Sequence, residues 1–143
     1  MDKYVRFDIV AFLKQSKYWK KDISKLNTEL QDIPFVSSVQ TDKIPSGSSK
    51  PSDSVYNIVV KRDKIISEID YIKHCQDALK NALSQLDGEE REIIDGLFFS
   101  RKSKDYEGRR LAVKFGINYP KGIYRIRNKA LNKMRDYITK EYL

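Results

Sequence analysis

Hydrophobic positions along the chain fall into two long helical seams followed by a compact set near the C-terminus. In the first seam Val5, Ile9, Phe12, Ser16, Trp19, Ile23, Leu26, Leu30 and Ile33 alternate steps of four and three, the spacing of a coiled-coil stripe, with Ser16 its only polar member. Ile33-Pro34 ends that helix, because a proline ring disfavours helical angles at the residue before it. The stretch 34–54 then collects Pro34, Pro45, Gly47, Pro51 and several serines, and reads as a flexible loop. A second seam of the same alternation runs through Ile58, Arg62, Ile65, Ile69, Ile72, Gln76, Leu79, Leu83 and Leu86. Each helix would run about 30 residues, roughly 45 Å. Similar lengths joined by a long loop predict an antiparallel, coiled-coil-like helical hairpin over residues 1–86. Two helices alone bury little, so the seam is completed either by a second copy, giving a homo-oligomer through the N-terminal helices, or by packing on the C-terminal unit.

From Leu86 onward the pattern tightens into a second domain, 87–143. Asp87-Gly88-Glu89-Glu90 has the form of a capping box, and Ile93, Ile94, Leu97 and Phe98 give the helix behind it one apolar face. The polar run Ser100 to Lys104 reads as a turn, Tyr106, Leu111, Ala112 and Phe115 as a short helix, and Gly116-Ile117 as a tight turn. A last helix is expected from about Pro120 to Tyr137. The order is that of a helix-turn-helix: Ala112 is small enough for close approach, Gly116 can take a left-handed backbone angle, and Ile117 fills the gap beneath the turn. Pro120 suits a first helical turn, where its missing N–H costs nothing. In the last helix Ile123, Ile126, Ala130, Met134 and Tyr137 or Ile138 share one face, while Lys121, Arg125, Asn128 and Asn132 share the other. The fold class is therefore all-α, a long hairpin followed by a C-terminal helix-turn-helix.

Charge changes the picture because it is segregated. Of 28 Lys and Arg against 20 Asp and Glu, residues 101–143 hold 13 against 4, a net +9, and residues 1–100 hold 15 against 16. A basic excess confined to one unit is the electrostatic footprint of a partner with a phosphate backbone, here double-stranded DNA. Docked by its N-terminal part into a major groove, the last helix would present Lys121, Tyr124, Arg125 and Asn128 to base edges, with Tyr119 just ahead of it. Arg109, Arg110 and Lys114 on the preceding helix, with Arg127 and Lys129 on the flank, would clamp phosphates and set register.

Other chemistries find little support. The chain has one cysteine, Cys75, and one histidine, His74, which excludes an internal disulfide and a Cys/His zinc cage. No Gly-rich phosphate loop and no Ser/His/Asp or Cys/His set is present, so neither catalytic residues nor a cofactor are expected. Asp87, Glu89, Glu90 and Glu92 are explained by the capping box and a charged first turn. Phe7, Phe12, Tyr18 and Trp19 read as core or interface. Met1-Asp2-Lys3-Tyr4 opens no signal-peptide pattern and no run of about 20 apolar residues exists, so a cytoplasmic location without membrane contact is expected.

The residues Leu86 to Ile94, followed by Leu111-Ala112, Gly116-Ile117 and Ile123 to Leu131, resemble the fourth region of sigma factors. More narrowly, the layout over about residues 45 to 140 is similar to the ArpU/RinA family of phage transcriptional regulators, sigma-like proteins of prophages in Gram-positive bacteria. The resemblance implies an activator of phage late genes that binds upstream DNA, with host RNA polymerase as a second partner. One departure stands out: Gly116 to Ile123 spans one residue more than the family's usual spacing, leaving the start of the recognition helix open around Asn118 to Lys121. Two other functions fit the same layout: a small terminase-type DNA-packaging protein, and a sigma-like factor acting mainly through RNA polymerase.

Overall fold

The computed structural model describes residues 7–34 and 50–143. Every regular element among them is helical: α1 (Ile9–Ser16), α2 (Trp19–Asp32), α3 (Lys50–Leu83), α4 (Gly88–Ile94), a π-helical turn (Asp95–Phe99), α5 (Lys104–Phe115) and α6 (Lys121–Tyr142). Val5 and residues 35–49 of the expected loop lie outside the described residues. No helix among them is long and apolar enough to cross a membrane.

The single first helix expected through Ser16 and Trp19 is instead two. Lys17 and Tyr18 keep right-handed angles (φ −68 and −97°), but the helical ladder lapses between them. Ser16 marks the place: its Oγ donates to the carbonyl of Leu13 at 2.6 Å, the local side-chain bond by which serine competes with helical continuation. Asp8 starts α1 by accepting from the amide of Ala11 at 3.1 Å. Pro34 ends α2 by holding Ile33 extended, at ψ 130°. Helix α3 begins at Lys50, so the expected loop is shorter at its C-terminal end, and stops at Leu83, three residues before Leu86.

Packing divides the chain into two compact units, one of Met1–Lys17 with Cys75–Leu143 and one of Tyr18–His74. The end of α3 at Leu83 and the capping box at Asp87 both fall inside the first. In that unit Ile9 and Leu13 of α1, Ala78, Ala82 and Leu83 of α3, Ile94 of α4 and Ala130, Leu131, Met134 and Ile138 of α6 form one buried cluster. A second cluster joins Ile93, Leu97, Leu111, Ala112 and Ile123. Fully burying each of the larger side chains contributes about 1.5–3 kcal/mol, which is what holds α4, α5 and α6 against one another.

The other unit is smaller. Ile33, just after α2, and Ile65 and Ile69 of α3 are buried together, with Ile23, Leu26, Leu30 and Ile58 packed against them. Residues Asp32 to Pro34 line one groove with Ile58 and Lys61, while Asp22 and Lys25 line another with Glu68 and Ile72. Trp19 is buried, 7% exposed. Elsewhere on α3 Tyr56, Val59, Val60, Ile66 and Tyr71 are exposed.

Candidate nucleic-acid interface

The capping box assembles as its spacing predicts. Asp87 accepts from the amide of Glu90 at 2.8 Å, and Glu90 Oε1 accepts from the amide of Asp87 at 3.1 Å. Glu90 does more than cap. It is 2% exposed, and its Oε1 also receives Lys133 Nζ of α6 at 2.7 Å, so one carboxylate ties the start of α4 to the middle of α6. That contact holds the Lys133 ammonium above its ordinary pKa. Glu90 Oε2 is buried without a hydrogen-bond partner among the described residues.

Helix α5 starts at Ser103, whose Oγ accepts from the amide of Tyr106, and ends at Gly116. Gly116 sits at φ 66°, ψ 39°, the left-handed conformation that glycine adopts without steric cost. The amide of Ile117 reaches back to the carbonyl of Ala112 at 2.9 Å, closing a Schellman-type end. The polypeptide then turns through Asn118 and Tyr119, and α6 takes up at Lys121, its first turn secured by Tyr124 N–H on the carbonyl of Pro120 at 2.9 Å. The helix runs on to Tyr142, five residues past the expected end, because Ile138 is buried and the Tyr142 hydroxyl bonds to Asp77 and Asn81 of α3.

Two glycines permit the close approach between α5, the turn and α6. A Cβ on Gly108 would overlap the Tyr119 ring, and one on Gly122 would overlap Cγ2 of Ile117. Ala112, singled out from the sequence, is buried at this junction, but Gly108 carries the tightest contact. Gly108→Ala should therefore push Tyr119 out of its seat and cost about 1–3 kcal/mol, read as a lowered urea midpoint. An unchanged midpoint would mean that the ring is not seated there.

The ten residues proposed from the sequence separate into three groups. On α6 Lys121, Arg125, Asn128 and Lys129 are exposed, and none has a side-chain hydrogen bond or ion pair among the described residues. Asn132 is exposed on the same side, while Ile123, Ala130, Leu131, Met134 and Ile138 are buried on the other. Tyr124 is half-buried, its ring centroid 6.0 Å from that of Tyr119, and the Arg127 guanidinium lies 5.1 Å from the Tyr124 ring centroid. Arg127 is itself half-buried, with Nε enclosed and unbonded.

The cations of α5 are compensated. Arg109 donates to Asp105 at 2.9 Å, Arg110 donates to Glu107 at 2.7 Å, and Lys114 donates to both oxygens of Glu92 at 2.8 Å. Glu107 is 5% exposed and also accepts from the Ser100 hydroxyl at 2.9 Å. The Arg110 guanidinium, with help from Ser100, holds the Glu107 carboxyl below its ordinary value, and Arg109 does the same for Asp105. Tyr119 completes this arrangement, its hydroxyl donating to Asp105 at 3.1 Å while Arg109 lies 5.5 Å from its ring centroid. Desolvation, with the hydroxyl of Tyr124 and the Asp105 carboxylate adding to it, pushes the Tyr119 phenol up to about 12.

Sequence reasoning missed these pairings. Asp105 with Arg109 and Glu107 with Arg110 stand four and three apart, a spacing that signals pairing on one helix face. Glu92 with Lys114 and Glu90 with Lys133 are joined only by tertiary packing. Among the described residues no group of three His, Cys, Asp or Glu is placed to hold a metal ion. No protein-family profile, curated protein or solved structure matches the chain.

Proposed function

We propose that the chain is a sequence-specific double-stranded DNA-binding transcriptional regulator, not an enzyme, in which α4, α5 and α6 act as a helix-turn-helix and α2 with α3 as a helical hairpin. The observation that carries the reading is the outer face of α6, where Lys121, Arg125 and Lys129 project unpaired while the opposite face is buried. An uncompensated cationic stripe on a rigid helix attracts a regular array of phosphates, and Arg125 and Asn128 carry the side-chain forks that read guanine and adenine. Pairing of the α5 cations, with Asp105 and Glu107 on the same helix and with Glu92 of α4, moves the weight of phosphate binding from Arg109, Arg110 and Lys114 to Lys121 and Lys129. Tyr119 becomes a strut of the turn, and Tyr124 and Arg127 support the reading face from its edge. The finer reading comes from the sigma-like resemblance alone: an activator of phage late genes, cytoplasmic in a bacterial host, with RNA polymerase as partner.

Selection of bound duplexes from a random pool tests the reading. A recovered consensus is expected, and Arg125→Ala should flatten it at one or two positions while Lys129→Ala weakens all sequences alike. Recovery of no consensus would refute sequence-specific reading.

A further inference from the structure

The three cation pairs of α5 are not alike. Arg110 answers the buried Glu107, and Lys114 joins α5 to Glu92 of α4. Asp105 and Arg109 stand on one helix with side chains 64% and 70% exposed, and a pair so open to water adds little to stability. The carboxylate is nevertheless held from two directions. Its Oδ2 accepts from Arg109 Nε at 2.9 Å, and its Oδ1 accepts from the hydroxyl of Tyr119 at 3.1 Å. Tyr119 is itself seated, in the space that Gly108 leaves for its ring. Asp105 is thereby fixed one tyrosine side chain away from the turn that starts α6, the end of the helix that would enter the groove. Arg101, Lys102 and Lys104 just before it are exposed, so it is a negative charge set into a basic surface.

We infer that Asp105 is a brake on sequence-independent duplex binding: it holds Arg109 in an ion pair that a phosphate has to displace, and Tyr119 keeps the carboxylate from turning away. The inference rests on the DNA reading above. A phosphate that took Arg109 would find a fixed anion beside it, and the repulsion offsets much of the contact. The Arg109 guanidinium keeps the Asp105 carboxyl below its ordinary pKa, so the charge is present throughout the neutral range. Because phosphates carry no sequence information, the brake acts alike on every duplex.

Fluorescence anisotropy of the full chain on one selected and one scrambled duplex tests it. Asp105→Asn keeps an acceptor for the Tyr119 hydroxyl and removes the charge. It should tighten binding to both duplexes about tenfold and steepen the salt slope by about 0.9, the share of one further phosphate. Asp105→Glu, which keeps the charge, should leave affinity and slope as they are. Asp136→Asn makes the same change of net charge at an exposed carboxylate in the C-terminal third of α6, and should tighten binding by less than about twofold because the charge is screened there. Helicity by circular dichroism and urea midpoints should be unchanged in all three. No gain from Asp105→Asn, an equal gain from Asp105→Glu or Asp136→Asn, or a gain without a steeper slope would overturn the inference, while salt-dependent binding by the unaltered protein leaves the proposed function standing. Absence of duplex binding by the unaltered protein and by Asp105→Asn alike would overturn both.

Discussion

Replacing Lys121, Arg125 and Lys129 together by glutamate should weaken duplex binding by at least about a thousandfold while leaving helicity and the unfolding midpoint unchanged. Each side chain is exposed and unpaired, so its removal disturbs no internal contact, whereas a charge-assisted hydrogen bond to phosphate contributes roughly 1.5–3 kcal/mol. Three such losses exceed 4 kcal/mol on the same estimate, and reversed charges add repulsion. Filter binding or fluorescence anisotropy on one duplex measures the effect. The matched triple variant Arg109→Ala, Arg110→Ala, Lys114→Ala supplies the contrast. It should lose less affinity, because those cations are already neutralised by Asp105, Glu107 and Glu92, and more stability, because Glu107 is left buried without its guanidinium. Equal affinity losses in the two variants would show that the pairing on α5 does not govern which cations meet DNA.

Leu13→Ala should cost about 2–5 kcal/mol of unfolding free energy although Leu13 lies near the other end of the sequence from α6. Its side chain is fully buried, in the cluster that also holds Ala82, Ile94, Met134 and Ile138, and truncation leaves a cavity among helices α1, α3, α4 and α6. Urea titration followed by circular dichroism measures the loss, with Met134→Ala as a reference for the same cluster from the α6 side. A cost below about 0.5 kcal/mol for Leu13 alone, a value typical of surface substitutions, would mean that α1 is not docked in this core.

Local features were legible in the sequence because their determinants stand within one or two helical turns. The capping box at Asp87 and Glu90, the left-handed Gly116 and the polar outer face of Lys121, Arg125, Asn128 and Asn132 all occupy the places that spacing assigns. What failed to show depends on encounters between distant segments. The seam through Val5 to Ile33 carries an unbroken three-four alternation, yet the chain breaks after Ser16, and Leu13, off the counted seam, is the residue that becomes fully buried. Periodicity reports that a helix has an apolar side and does not report which neighbour takes it. The candidate site divides the same way. Lys114 and Lys133 look like free cations until tertiary packing brings Glu92 and Glu90 to them, 22 and 43 residues away. Gly108 carries no pattern of its own, and only the arrival of the Tyr119 ring gives it a purpose.

The most direct test of the α6 face as a DNA-binding surface is the affinity of the unaltered protein for a duplex as salt is raised. Counterion release from at least three phosphate contacts predicts that the logarithm of the affinity falls against the logarithm of salt concentration with a slope of about −3 or steeper. An affinity that holds constant from low to moderate salt, or no duplex binding even at low salt, would contradict the account.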